Sequence, residues 1–216
     1  LRTHPVGTLV RPLLTAYDRT RFAVYCYAKC AEDGLSQEFR TAVDMWHNIS
    51  GMAAEETAAL VHSDEIDILV DLAGHTQHNA LPVLAHKPAP VQVTGIGYFN
   101  TTGLATVDYM LSDVHVDPAG AEDAAFTEEM IRLPRSHFCY MLPEDLPAVS
   151  PPPMERNGYV TFGSFNNFSK VTDEVLRLWG VLLETVPSSR LLLKSKLFGS
   201  AEGREIAEER FARCGI

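Results

Sequence analysis

Long apolar runs are missing from this chain of 216 residues. No stretch reaches the roughly 18 consecutive apolar residues of a membrane-spanning helix, so no membrane partner is expected. Basic charge is also short: 18 lysines and arginines stand against 28 acids, a formal net charge of −10. A general nucleic-acid binder needs a basic face to meet the phosphate backbone, so no nucleic-acid partner is expected either. Cysteine is scarce. Cys26, Cys30, Cys139 and Cys214 form no C-x-x-C pair. Cys26 lies in a strand-like run and does not share a helical face with Cys30, which points to free thiols in a reducing compartment, the cytoplasm. The G-x-S-x-G, H-E-x-x-H and Walker patterns are absent. Gly95-x-Gly97 lacks the third glycine of a dinucleotide fingerprint.

What is present is alternation. Apolar residues make up 46% of the chain, enough for one large or two modest domains. Leu9, Leu13, Leu14 and Tyr17 give Val6 to Tyr17 helical spacing, and Phe22 to Ala28 reads as a strand. Segments 35–45 and 52–63 read as helices. Ile66 to Leu72 is a strand ending in Ala73-Gly74-His75-Thr76. Segment 79–86 reads as a helix, 91–96 as a strand entering Gly97-Tyr98, and 107–112 as another strand. Such alternation with apolar strands predicts an α/β fold built on a doubly wound parallel sheet of Rossmann-like type.

Between residues 142 and 153 five prolines resist both helix and central strand. The β/α pattern then restarts with a strand at 159–165, a helix at 172–186, a strand at 190–195 and a helix at 201–213. Two strands are few for a doubly wound sheet. The expected organisation is an α/β domain over 1–141, a proline-rich linker over 142–157, and the start of a truncated second α/β domain over 158–216.

Four turns follow or flank these elements. His4-Pro5-Val6-Gly7 opens the first helix, with Pro5 suited to the first turn. His4 reads either as a surface histidine or as a base or sugar-binding group. Gly74-His75-Thr76-Gln77-His78-Asn79 reads as a polar loop, a ligand-binding turn, or half of a metal site through His75 and His78. Gly95-Ile96-Gly97 reads as a crossover or as glycines that let a ligand lie against backbone amides. The last turn is Phe165-Asn166-Asn167-Phe168-Ser169-Lys170, between a strand and a helix. Ligands of open α/β sheets bind at that end of the strands, and a lysine beside exposed N–H groups suits a phosphate. Asp173 and Glu174 occupy the first turn of the following helix and compete for its positive end, so phosphate neutralisation falls mainly to Lys170.

Together these motifs resemble the catalytic region of the protein O-GlcNAc transferase family, of bacterial type. The matching residues are His4-Pro5-Val6-Gly7, Asp67-Ile68-Leu69-Val70-Asp71-Leu72-x-Gly74-His75-Thr76 and Pro88-Ala89-Pro90-Val91-Gln92-Val93. Gly97-Tyr98-x-x-Thr101-Thr102-Gly103, Asp108-Tyr109-x-x-Ser112-Asp113 and Phe165-Asn166-Asn167-x-x-Lys170 continue the series in family order. The resemblance implies a two-domain GT-B glycosyltransferase, of which this chain covers the first catalytic domain without its opening strand and the start of the second. It implies inverting transfer of GlcNAc from UDP-GlcNAc to Ser or Thr of proteins, with no cofactor and no metal. His4 and Lys170 then match catalytic positions. Thr76, Ile96 and Gly97 match positions around the sugar, with His75 in the same turn, and Asn167 joins Lys170 at the diphosphate. The partners implied are a UDP-sugar and a protein or peptide acceptor, with helical repeats flanking the region in the full-length protein and the isolated fragment inactive. Many members carry Trp-Leu-Gly-Tyr-Pro where this chain has Gly95-Ile96-Gly97-Tyr98-Phe99, a departure on the acceptor side. A related transferase using GDP-fucose or UDP-glucose, and a non-catalytic sugar- or protein-binding module, are the alternatives.

Overall fold

Helix α1 (Pro5–Thr15) starts at a proline in its first turn, which needs no N–H there, and is capped by His4. It opens a computed structural model that describes residues 1–142 and 145–216. The chain divides into two compact units, Leu1–Glu144 and Asp145–Ile216. The division falls within the proline-rich stretch, whose Pro143 and Glu144 lie outside the described residues.

In the first unit β1 (Tyr25–Ala28), α2 (Gly34–Ala42) and β2 (Met45–Asn48) form one crossover, with β1 and β2 parallel. Helix α3 (Ala54–Ser63) then leads to β3 (Ile68–Asp71). The short α4 (Leu81–Leu84) connects β3 to β4 (Val91–Gly95). Strands β5 (Tyr109–Asp113) and β6 (Glu129–Leu133) complete a parallel sheet in the order β3-β4-β5-β6. Parallel pairing is therefore the rule in every ladder among the described residues, as the alternation predicts.

Two strands differ from the sequence reading. The helix expected over 35–45 ends at Ala42, where Val43 turns extended, and Met45 opens β2. Met-Trp-His-Asn is half exposed and carries no apolar alternation, so its pairing with β1 is invisible in the pattern. Strand β6 was not expected either, because Glu129 and Arg132 interrupt its apolar residues. Helix α4 is shorter than the span 79–86. His78 and Lys87 adopt left-handed conformations on either side of it.

The core of this unit joins Val10 of α1, Phe39 of α2 and Ile96 just past β4, with Leu72, Leu111 and Trp46 packed around them. Phe39 is fully buried, which contributes about 2–3 kcal/mol from apolar burial. All four cysteines are free thiols. Burial pushes the Cys26 thiol up to about 11, so it stays protonated and unreactive at neutral pH.

In the second unit the expected linker holds a single helical turn, α5 (Pro153–Asn157), which ends at left-handed Gly158. Strands β7 (Thr161–Ser164) and β8 (Arg190–Leu193) pair in parallel across α6 (Asp173–Thr185), and α7 (Ala201–Arg213) closes the unit. Phe168, Val171, Leu176 and Ala207 form its core.

Candidate functional site

The carboxyl end of β3 builds the first turn. Asp71 is buried, and its carboxylate accepts the Ala73 N–H at 3.2 Å and the Gly74 N–H at 2.8 Å. It also accepts the Thr94 hydroxyl at 2.9 Å, tying β3 to β4. Gly74 is left-handed (φ +49), and a Cβ there would overlap the Tyr98 ring. Thr76 donates its hydroxyl to Ala73 O at 2.8 Å and stays exposed. The His75 ring lies edge-on to Tyr98, centroids 5.6 Å apart, with Nε2 2.8 Å from Thr102 O. Among the described residues no group of three or more His, Cys, Asp or Glu could hold a metal ion, so His75 and His78 gain no third ligand.

At the end of β4 the backbone is strained. Gly97 N–H donates to Gly95 O at 2.8 Å across Ile96, which has φ +67. A γ-turn with positive φ at its centre is rare, and a β-branched residue there costs about 1–3 kcal/mol. The Ile96 side chain is buried in the core, so this turn offers a ligand only its backbone. A Cβ on Gly97 would overlap Leu72 O and reach Val6 Cγ2 at 2.9 Å. The glycine therefore answers to close packing between protein groups rather than to an open cradle for a ligand. That packing also brings the start of α1, and with it His4, against the ends of β3 and β4.

His4 caps α1 through its ring: Nδ1 accepts the Val6 N–H at 3.3 Å. A nitrogen that accepts carries no proton, so the neutral ring bears its hydrogen on Nε2. His4 is thereby a donor toward anything bound beyond the helix end. Phe99, where many members of the resembled family have proline, meets the buried His137 edge-on at 5.8 Å, and His137 Nδ1 is 2.6 Å from Asp113. At Gly95, where those members carry tryptophan, a Cβ would stand 2.8 Å from Leu111 O, so this backbone is fitted to glycine.

The second unit carries the other predicted residues, Asn167 and Lys170. Asn167 Oδ1 accepts the Ser169 N–H at 3.3 Å and Asn167 O accepts the Lys170 N–H at 2.9 Å, forming one 3-10 turn over Phe168–Lys170. Phe168 anchors this turn in the core, and Arg210 lies over its ring at 5.0 Å. Ser195 Oγ accepts the Phe168 N–H at 3.4 Å. Lys170 is exposed and forms no ion pair among the described residues. Asp173 and Glu174 stand in the first turn of α6, as the sequence suggests, and Asp173 has a second partner as well. Thr172 Oγ1 caps that end by accepting the Val175 N–H at 3.3 Å, and Asp173 is held by Arg210 at 2.7 Å. Arg210 and its neighbour Arg213 help hold the Asp173 carboxyl below its usual range, the Arg210 hydrogen bond most of all.

The structure thus gathers His4, His75, Thr76, Ile96 and Gly97 at one edge of the first unit. It places Asn167 and Lys170 on one rigid turn of the second. Sequence reasoning missed the supports: Asp71, Thr102, Glu128, Phe168, Ser195 and Arg210. Asp71, Thr102 and Phe168 stand in the quoted motifs without a role assigned to them, and Glu128, Ser195 and Arg210 carry no signal at all.

The profile of glycosyl transferase family 41 matches residues 1–144. The chain belongs to glycosyl transferase family 41. Among curated relatives, the probable UDP-N-acetylglucosamine-peptide N-acetylglucosaminyltransferase SPINDLY of Arabidopsis thaliana is 43% identical over 201 residues. That match covers 91% of this chain and 22% of the relative. The protein of the same name from Solanum lycopersicum is 41% identical over the same shares. A solved structure of Thermobaculum terrenum O-GlcNAc transferase, a lysine-to-methionine mutant, superimposes with a TM-score of 0.92 at 37% identity. It covers 100% of this chain and 41% of that one. The family 41 chain therefore has the α/β, GT-B fold of that transferase, and it spans about a fifth of the length of the curated relatives it matches.

Proposed function

We propose that the intact protein is an inverting glycosyltransferase that moves GlcNAc from UDP-GlcNAc to Ser or Thr of proteins. The observation that carries this reading is the identity of about 40% to relatives named for that activity, with the matched residues standing at strand ends. In the step, the acceptor oxygen bonds to the sugar carbon as that carbon's bond to the diphosphate breaks, and the acceptor hydroxyl's proton passes to solvent water. In this reading Thr76, His75 and the Ile96–Gly97 backbone of the first unit are its sugar-binding groups. Asn167 and Lys170 of the second unit are its diphosphate-binding groups. An ammonium at Lys170 stabilises the charge that develops on the leaving diphosphate, the role a metal ion fills in other transferases, so turnover is expected without added metal.

His4 serves this reaction as a hydrogen-bond donor through Nε2, since its other nitrogen is committed to the helix cap. The reading places the protein in the cytoplasm, in keeping with its free thiols, and among the described residues no helix is long and apolar enough to cross a membrane. Helical repeats elsewhere in the intact protein belong to the same expectation.

Assaying intact wild type and His4→Asn with UDP-GlcNAc and a Ser/Thr peptide tests both statements. Wild type should release UDP and modify the peptide. Asparagine keeps the cap, so the thermal midpoint should hold while turnover falls about tenfold or more. No UDP release by wild type contradicts the function, and an undiminished His4→Asn contradicts the role of the ring.

A further inference from the structure

Glu128 is a buried carboxylate, 4% exposed, just before β6. No cation pairs with it among the described residues. Its partners are donors from one loop. Oε1 accepts the Thr102 N–H at 2.7 Å and also the Thr102 hydroxyl. Oε2 accepts the Thr101 hydroxyl at 2.7 Å.

This arrangement tolerates only an acceptor on both sides. Thr101 Oγ1 already accepts the N–H groups of Gly103 at 3.0 Å and Thr127 at 3.2 Å. Its own proton goes to the charged Glu128 oxygen, nearer than the Thr127 hydroxyl at 3.0 Å. On the other oxygen the Thr102 N–H is a donor by nature. A carboxamide would set its NH2 against a donor whichever way it turned. Burial alone raises the Glu128 carboxyl, but the hydrogen bonds from Thr102 and Thr101 outweigh it and hold the group below the usual glutamate range. The ionised form is thus the one the fold keeps, and its stabilisation is lost only as pH falls through that depressed value.

The loop it holds then reaches the sugar-binding groups of the first unit. Thr102 O faces His75 Nε2 at 2.8 Å. A carbonyl only accepts, so Nε2 carries the ring proton and Nδ1 of the neutral ring is an acceptor. No protein group donates to Nδ1 among the described residues. We propose that Glu128 is a positioning residue for sugar binding by the first unit, acting through Thr102 to hold His75 in the tautomer that accepts a donor-sugar hydroxyl at Nδ1.

The proposal rests on the transferase reading, and a double-mutant cycle separates the two. Donor KM and kcat are measured on the intact protein as wild type, His75→Ala, Glu128→Gln and the double variant. Each single change should raise the donor KM about tenfold with kcat less affected, the cost of leaving one polar group unmatched. The double variant should be no worse than His75→Ala alone, because Glu128 acts through that ring. Effects that multiply, or an unchanged KM in Glu128→Gln, overturn the proposal and leave the transferase reading intact. Wild type without donor turnover overturns both. Should Glu128→Gln fail to fold, Glu128→Asp keeps an acceptor-only group one methylene shorter and carries the same cycle.

Discussion

Lys170→Met in the intact protein should lower kcat on the order of a hundredfold or more, with the thermal midpoint unchanged. Methionine keeps the length of the side chain and removes its charge. The size of the effect follows from how the ammonium is presented. Its turn is anchored: Phe168 is buried in the core of the second unit, Ser195 accepts the Phe168 N–H, and Asn167 caps the turn from within. A cation carried on an anchored turn meets developing charge with less reorganisation at the moment of reaction. Stability should hold because Lys170 is exposed and unpaired among the described residues. Lys170→Arg restores charge with a different reach and should recover part of the loss. A Lys170→Met enzyme within a few-fold of wild type would remove the lysine from the chemistry.

A second large effect is expected at Gly97. The position has no room for a side chain: a Cβ would overlap Leu72 O, and Val6 Cγ2 lies at 2.9 Å. The first neighbour is backbone at the end of β3 and cannot swing aside. Gly97→Ala must then part β4 from β3 or push α1 outward, disturbing the strained Ile96 turn and the His4 cap together. We expect a loss of about 3 kcal/mol or more and a midpoint lower by about 10 °C. Gly103→Ala is the matching control. Gly103 is left-handed (φ +71), as Gly97 is not, and open space surrounds it, so only the conformational cost of about 1 kcal/mol applies. Equal losses at the two glycines would contradict the packing account.

The two cases show what the sequence makes legible. Ile68–Asp71, with three apolar residues in a row, and Val91–Gly95, with β-branched residues leading into glycines, stand out, and so do the turns that follow them. Strands β2 and β6 do not, because their half-exposed polar residues are paired by neighbours far along the chain. Glycine at 97 is visible as a letter, but its reason, a carbonyl belonging to Leu72, is a tertiary fact. The same holds for Asp173, whose place in a helix start is legible while its ion pair with Arg210 is not. Glu128 looks like one more surface acid, and only the fold shows that three donors converge on it.

The most direct measurement is the mass added to a Ser/Thr peptide by the intact protein when UDP-GlcNAc, UDP-glucose and GDP-fucose compete at equal concentration. The account predicts an N-acetylhexosamine on the peptide and UDP in solution. A deoxyhexose or hexose on the peptide would contradict the donor assigned here, and an unmodified peptide with every donor intact would contradict the transferase itself.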